Sequence, residues 1–549
     1  MAACKPPVVL RFFPSMTDVA FIMPLVFLFG GMKGAQTLLG DGDTGWHLRT
    51  GEWILAHGRV PHHDIFSFTR AGQPWFAWEW LWDVLFGWLH LHFGMAAVVL
   101  GSSLVLALTF ALLFRLARRE SGDALVALAC TLVAAAASAG HWLARPHLFT
   151  MLFTVVFSAI LERAVNAPAG ARKLLWLLPP LMVLWTNLHG GFFVGVLLTG
   201  VYAAGQFAVL LRETSVAERR AALLGGRRYA WAAAGCALAT LVNPYFYRLH
   251  VHIAKYLGDG FYRGNIMEFQ SLNFQGAQAR YLEILLLAGA AAAFGRLRRG
   301  QLAWPLLFVL WAHLALYSAR NVEIFALLAA APAAGIVAQG VRRAPAFHWA
   351  GWLRRGLDAL RGLAQELSSF DGVPRWHLAS VAALAALAAA LYAPRAPSGY
   401  RAEFDPKTYP VAAAGMLQRA GLFRGVFTED LWGGYLIYRQ YPLVRVFMDG
   451  RSDFYGAEFA RQYIQAMEVH AGWEQYLGRY RVDTVLLPPD APLAGALRQS
   501  HNWRLIYDDG VAVIFRSALA AGLLVEPAPS GPTGGGAQTA TIIPKEKRS

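Results

Sequence analysis

The chain has 549 residues, of which 56% are hydrophobic and 15% charged, with a formal net charge of +15. A mean hydropathy of +0.39 is too high for a soluble protein of this length, so an integral membrane protein is expected. The positive balance falls in clustered arginines between apolar runs, which suits an anionic lipid surface and leaves nucleic acid unexpected as a partner.

Taken in chain order, apolar runs that could cross a bilayer lie at 17–35, 93–114, 122–140, 148–162, 173–187, 191–211, 229–243, 281–295, 301–318, 321–340 and 376–393. The fold class expected is a polytopic α-helical membrane protein with about eleven transmembrane helices and a small C-terminal extracytoplasmic α/β domain. Arg115, Arg118 and Arg119, then Arg163, Arg172 and Lys173, Arg212 to Arg228, Arg296 to Arg299, and Arg342 to Arg361 occupy alternate loops. Those loops are therefore cytoplasmic, the N-terminus is inside, and the segment after Leu391 is outside. A retained first helix is expected, because no small-residue cleavage site precedes Asp41. Cys4, Cys130 and Cys236 imply no disulfide framework. Walker A and dinucleotide fingerprints are absent from the sequence, which disfavours ATP- or NAD-driven chemistry.

Residues 1–393 form the membrane region, with a first outer loop at 36–92, residues 394–518 the extracytoplasmic domain, and 519–549 a tail expected to be disordered. The cytoplasmic connection 341–375 carries an amphipathic helical pattern. In the C-terminal domain, helices are expected at 409–420, 431–440 and 456–477, and strands at 424–428, 444–448, 482–487, 504–507 and 511–515, with a turn at Asp508–Gly510.

This topology gathers Asp41, Asp43, His47, Asp64, Glu79, His141, Arg145, His147, Asn187, His189, Asn243, Glu268 and Arg320 on the outer side. The richest stretch is "GDGDTGWHLRTGEWILAHGRVPHHDIFSFTRAGQPWFAWEWLWD". Asp41 and Asp43, one glycine apart, could approach one cation or sugar hydroxyl, although Asp and Gly also favour plain turns. They are the leading catalytic candidates, and a divalent cation, magnesium or manganese, is the cofactor they could hold. Glu79 lies among tryptophans, where burial raises a carboxyl pKa and suits proton transfer; an ion pair with Arg49 or Arg145 is the alternative. His47, Arg49, Asp64, Arg145, His147, His189, Glu268 and Arg320 are substrate-binding candidates. Each also has a structural reading: lipid anchoring for the arginines, packing or a lid for the rest.

The first outer loop "LLGDGDTGWHLRTGEWILAHGRVPHHDIFSFT", the "ARPHLF" turn and the C-terminal outer domain resemble the GT-C superfamily of polytopic glycosyltransferases, in particular the bacterial aminoarabinose- and mannosyltransferase-like group. The resemblance implies a polyprenyl-phosphate-linked sugar as donor, an extracytoplasmic glycan, lipid or protein acceptor, and a bacterial inner-membrane location. It also implies a catalytic acid in the first outer loop, here Asp41 or Asp43. Outside that resemblance, a non-enzymatic scaffold or receptor, binding a partner through the outer domain, fits the same polar belt.

Overall fold

The computed structural model describes residues 8–165, 171–211, 215–343, 351–371 and 373–518; the tail at 519–549 lies outside the described residues. Among them, seven helices are long and apolar enough to cross a membrane: Val9–Gly31, Trp80–Ser121, Ala124–His141, His147–Val165, Gly190–Ala208, Ala277–Arg298 and Ala319–Arg343. Three shorter apolar helices, Lys173–Leu188, Ala303–Tyr317 and Leu378–Leu391, bring the set to ten rather than eleven. The run at 229–243 falls mostly in helix Val216–Ala239, whose part before Tyr229 carries Glu218, Arg219, Arg220, Arg227 and Arg228. Those charges keep half of it out of hydrocarbon.

The second span begins earlier than its apolar run suggests. Helix Trp80–Ser121 bends at Gly94, whose φ of 72° is open to glycine and strained for other residues. The part before the bend buries Trp82, Asp83, Phe86 and Gly87 and exposes Leu85, Trp88, Leu91 and Phe93, as an interfacial helix does.

Against it crosses helix Asp43–His57, at a distance only glycine permits. A Cβ on Gly51 would lie 1.8 Å from the Asp83 carbonyl oxygen, and one on Gly87 would lie 2.9 Å from the Gly51 carbonyl carbon. Since neither backbone can yield, Gly51→Ala is expected to destabilise the protein by about 1–3 kcal/mol, read as a lower melting temperature.

The other face of helix Asp43–His57 meets helix Asp430–Gln440 of the C-terminal domain. Gly42 faces the Leu431 carbonyl and Gly45 the Gly434 carbonyl, where Cβ atoms would sit at 2.0 and 2.4 Å. Arg49 secures the seam, donating to the Tyr438 carbonyl at 2.8 Å and to Glu52 at 2.5 Å.

The C-terminal domain holds a four-stranded sheet of β1 (Val426–Thr428), β2 (Thr484–Leu487), β3 (Trp503–Asp508) and β4 (Val513–Ser517), in the order β1-β2-β4-β3. β1 and β2 are parallel and fully buried, while β3 and β4 form a hairpin whose turn is closed by Asp508 and Asp509 carboxylates accepting from Gly510, Val511 and Ala512. The segment expected as strand 444–448 pairs only through Val446, with Val426 on one side and Ser67 of the first loop on the other. The helix expected at 456–477 is two, Ala457–Met467 and Trp473–Arg479, because Val469 and Gly472 take positive φ of 62° and 91° between them.

Candidate active site

The acid pair sits where the first span, the turn before helix His147–Val165 and the C-terminal domain converge. Asp43 opens its helix and Asp41 precedes it, its Oδ1 accepting from the Asp43 N–H at 2.9 Å. Thr44, in the first turn of the helix, donates to the Ala144 carbonyl and draws the next residue, Arg145, to the pair. Arg145 Nη1 reaches Asp41 Oδ2 at 2.6 Å and Nη2 reaches Asp43 Oδ2 at 3.0 Å. Burial, and then the charge of Asp41, push the Asp43 carboxyl up to about 8, against the opposing pull of Arg145. From the far side, Gly450 of the C-terminal domain closes over Asp43, so tightly that a Cβ there would lie 1.9 Å from Oδ1.

Glu79 lies between two imidazoles. Its Oε2 is 3.4 Å from His47 Nε2 and its Oε1 is 3.4 Å from His189 Nε2. Burial holds both imidazoles well below their ordinary pKa, with Arg145 next for His47 and His147 next for His189, so both are neutral. The His189 tautomer follows from its other nitrogen. Nδ1 accepts from the Gly191 N–H at 3.0 Å and contacts the Thr150 hydroxyl at 2.7 Å, so the ring proton is on Nε2, facing Glu79. On the other side, His47 Nδ1 contacts Asp83 Oδ1 at 2.7 Å. If Nδ1 carries the His47 proton, its Nε2 lone pair faces a Glu79 oxygen and favours a proton there. Burial raises the Glu79 carboxyl to about 7 against the pull of Arg145, so it is poised to gain or lose that proton at neutral pH.

Two further candidates form the rim. Glu268 is 3.9 Å from Arg145, and although burial would raise its pKa, Arg145 and Arg320 outweigh that and draw it down to about 2. Its loop is pinned to residues 318–320 by the Ser318 hydroxyl donating to the Glu268 carbonyl at 2.8 Å. Arg320 has no carboxylate within ion-pair distance among the described residues, and its guanidinium lies 4.7 Å over the Phe269 ring. His147 donates from Nε2 to the His141 carbonyl at 2.5 Å and faces the His189 ring edge-on.

Arg49 and Asp64 stand apart from this group. Arg49 belongs to the helix seam already described. Asp64 accepts from the Ser67 hydroxyl at 2.7 Å and meets Arg451 at 2.8 Å, while Arg451 is also held by Asp449 and lies over Trp75. All of these charges are buried. Asp64→Ala is expected to cost about 1–3 kcal/mol, because it removes a buried acceptor from the Ser67 N–H and hydroxyl and from Arg451, which keeps Asp449 as its counter-charge; a lowered unfolding midpoint checks it.

Asp83 and Gly450 are the site residues that sequence reasoning passed over. Asp83 had a readable signal, since it falls four residues after Glu79 and shares its helical face. Gly450 had none. A cation would have to take the place of Arg145 between Asp41 and Asp43, and among the described residues no group of three or more His, Cys, Asp or Glu side chains is gathered to hold a metal. In this arrangement the two carboxylates face the Arg145 guanidinium.

No protein-family profile matches the chain, and no curated protein matches it. Among solved structures, the apo crystal structure of ArnT from Cupriavidus metallidurans is similar, at 15% identity over 91% of this chain and 96% of that one, with a TM-score of 0.47.

Proposed function

We propose that the protein is a membrane glycosyltransferase of the GT-C type, which moves a sugar from a polyprenyl-phosphate donor to an extracytoplasmic acceptor. The observation that carries the reading is the Asp41–Asp43 pair held by Arg145, with Glu268 beside that guanidinium and Arg320, which has no carboxylate within ion-pair distance among the described residues, on the same rim. Asp43 takes the proton of the acceptor hydroxyl, and the oxygen attacks the anomeric carbon. The carbon–oxygen bond to the phosphate breaks, and polyprenyl phosphate leaves with the bonding pair. One displacement inverts the anomeric centre. Arg145 holds the two carboxylates in place, and Arg320 meets the charge growing on the phosphate. Glu79, between His47 and His189, stores or returns a proton. The activated donor supplies the energy.

The test is substrate accumulation in the host strain. Cells lacking the chain are expected to accumulate a polyprenyl-phosphate sugar in their lipid extract, which the wild-type chain clears. Arg320→Ala should clear it about 10²-fold more slowly. Unchanged lipid extracts on deletion would count against the transferase.

A further inference from the structure

At the end of the bundle opposite Asp43, a recess of about 480 Å³ is lined by Ser15, Thr17, Arg115, Arg118, Arg119, Asp371, Arg375 and His377, among others. We infer that it binds the phosphate of an anionic phospholipid headgroup in the arginine-rich, cytoplasmic leaflet.

The charge in the recess is unbalanced. Four arginines face one carboxylate, Asp371, which is ion-paired with Arg118 and also caps the Met16 N–H at 2.8 Å. Among the described residues Arg375 has only neutral partners, donating to the Leu10 and Phe370 carbonyls with its guanidinium 4.2 Å over the Phe370 ring. His377 faces buried Asp18, whose carboxylate also accepts from the Ser15 and Ser380 hydroxyls. Arg115 and Arg119, one turn apart near the end of helix Trp80–Ser121, are exposed and have no carboxylate within ion-pair reach among the described residues. Arginines at a helix C-terminus on the cytoplasmic side are ordinary. An uncompensated group of arginines converging on one recess with Thr17 is a phosphate-binding arrangement.

The surroundings select a lipid over a soluble anion. Phe12 and Trp376, both about half exposed, stack edge-to-face at 4.5 Å beside the recess, and Phe13 is exposed with them. Just beyond, Val19, Leu378 and Val381 present apolar side chains outward from the first and last spans. The arginines thus lie at headgroup depth, beside aromatic anchors and a surface for acyl chains.

The experiment uses the delipidated full chain in detergent, titrated with phosphatidylglycerol, phosphatidylcholine or inorganic phosphate and read by native mass spectrometry. Phosphatidylglycerol should bind in preference to phosphatidylcholine. Arg115→Gln with Arg119→Gln should weaken it about thirtyfold, while Arg115→Lys with Arg119→Lys retains it and shows that the fold is intact. Arg219→Gln with Arg220→Gln, exposed on the same membrane side but outside the recess, should leave binding unchanged. Equal loss in both glutamine pairs, or in neither, would overturn a discrete site. Displacement of phosphatidylglycerol by millimolar inorganic phosphate would overturn the lipid as its ligand.

Discussion

Asp43→Asn is expected to lower the transfer rate by about 10²–10⁴-fold, the range for loss of a positioned general base, without lowering the melting temperature. Asparagine keeps the shape of the side chain and an oxygen for the Arg145 Nη2 contact at 3.0 Å, so the helix start and the turn at Arg145 stay together. What it loses is the ability to accept a proton. The pH dependence separates this from a structural effect. Burial and Asp41 raise the Asp43 carboxyl from an ordinary value of 3.8 to about 8. The basic form therefore grows as pH rises, and kcat/KM of the wild type should climb through about pH 8 and level off above it. The variant should lack that limb. The stability linkage has the opposite sign. Between about pH 4 and 8 the native state retains a proton that the unfolded chain has released, so this group makes folding less favourable as pH rises. Asp43→Asn removes the effect, and its melting temperature relative to wild type should increase from pH 5 to pH 8. A variant that is inactive and also melts well below wild type would assign Asp43 to the scaffold.

Gly450→Ala should reduce the transfer rate by about 10²-fold, the cost of displacing a catalytic group by roughly 1 Å, with a small change in stability. The added Cβ would fall 1.9 Å from Asp43 Oδ1, and the nearest atoms are those of a side chain, which can turn away, rather than backbone. The carboxylate moves and the fold stays. This contrasts with Gly51→Ala, where the obstruction is the Asp83 backbone. Gly450→Ala also tests whether the C-terminal domain acts on the site directly, because the residue belongs to the "FMDGRSDFYG" segment and not to the membrane region. Turnover and thermal unfolding on the same preparation decide it. Full activity would show that the closure over Asp43 has no part in the reaction.

Much of the membrane architecture is legible in the sequence because its causes are local. Long apolar runs bounded by arginines identify most spans, and the "DDG" turn identifies the final hairpin. The departures also have local causes that weigh differently once the chain is folded. The apolar run at 229–243 continues a charged helix, and the interfacial helix before Gly94 hides in a tryptophan-rich stretch that reads as loop. Asp41, Asp43, Arg145 and Glu268 stand out one by one. That a single guanidinium lies within 3.9 Å of all three acids is a property of the fold, since Arg145 is more than a hundred residues from Asp41 and Asp43 and on the other side of two spans. Long-range close approach of backbones leaves no local signal. Gly42, Gly45 and Gly434 look like turn residues in sequence, and their use as a seam between the first loop and the C-terminal domain depends on which backbones meet.

The most direct test of the transferase reading is mass-spectrometric identification of lipid retained by gently purified wild-type protein and by Arg320→Ala. A polyprenyl phosphate or its glycosylated form is expected on the wild type, depleted in the variant. Only ordinary membrane phospholipids, in equal amounts on both proteins, would contradict it.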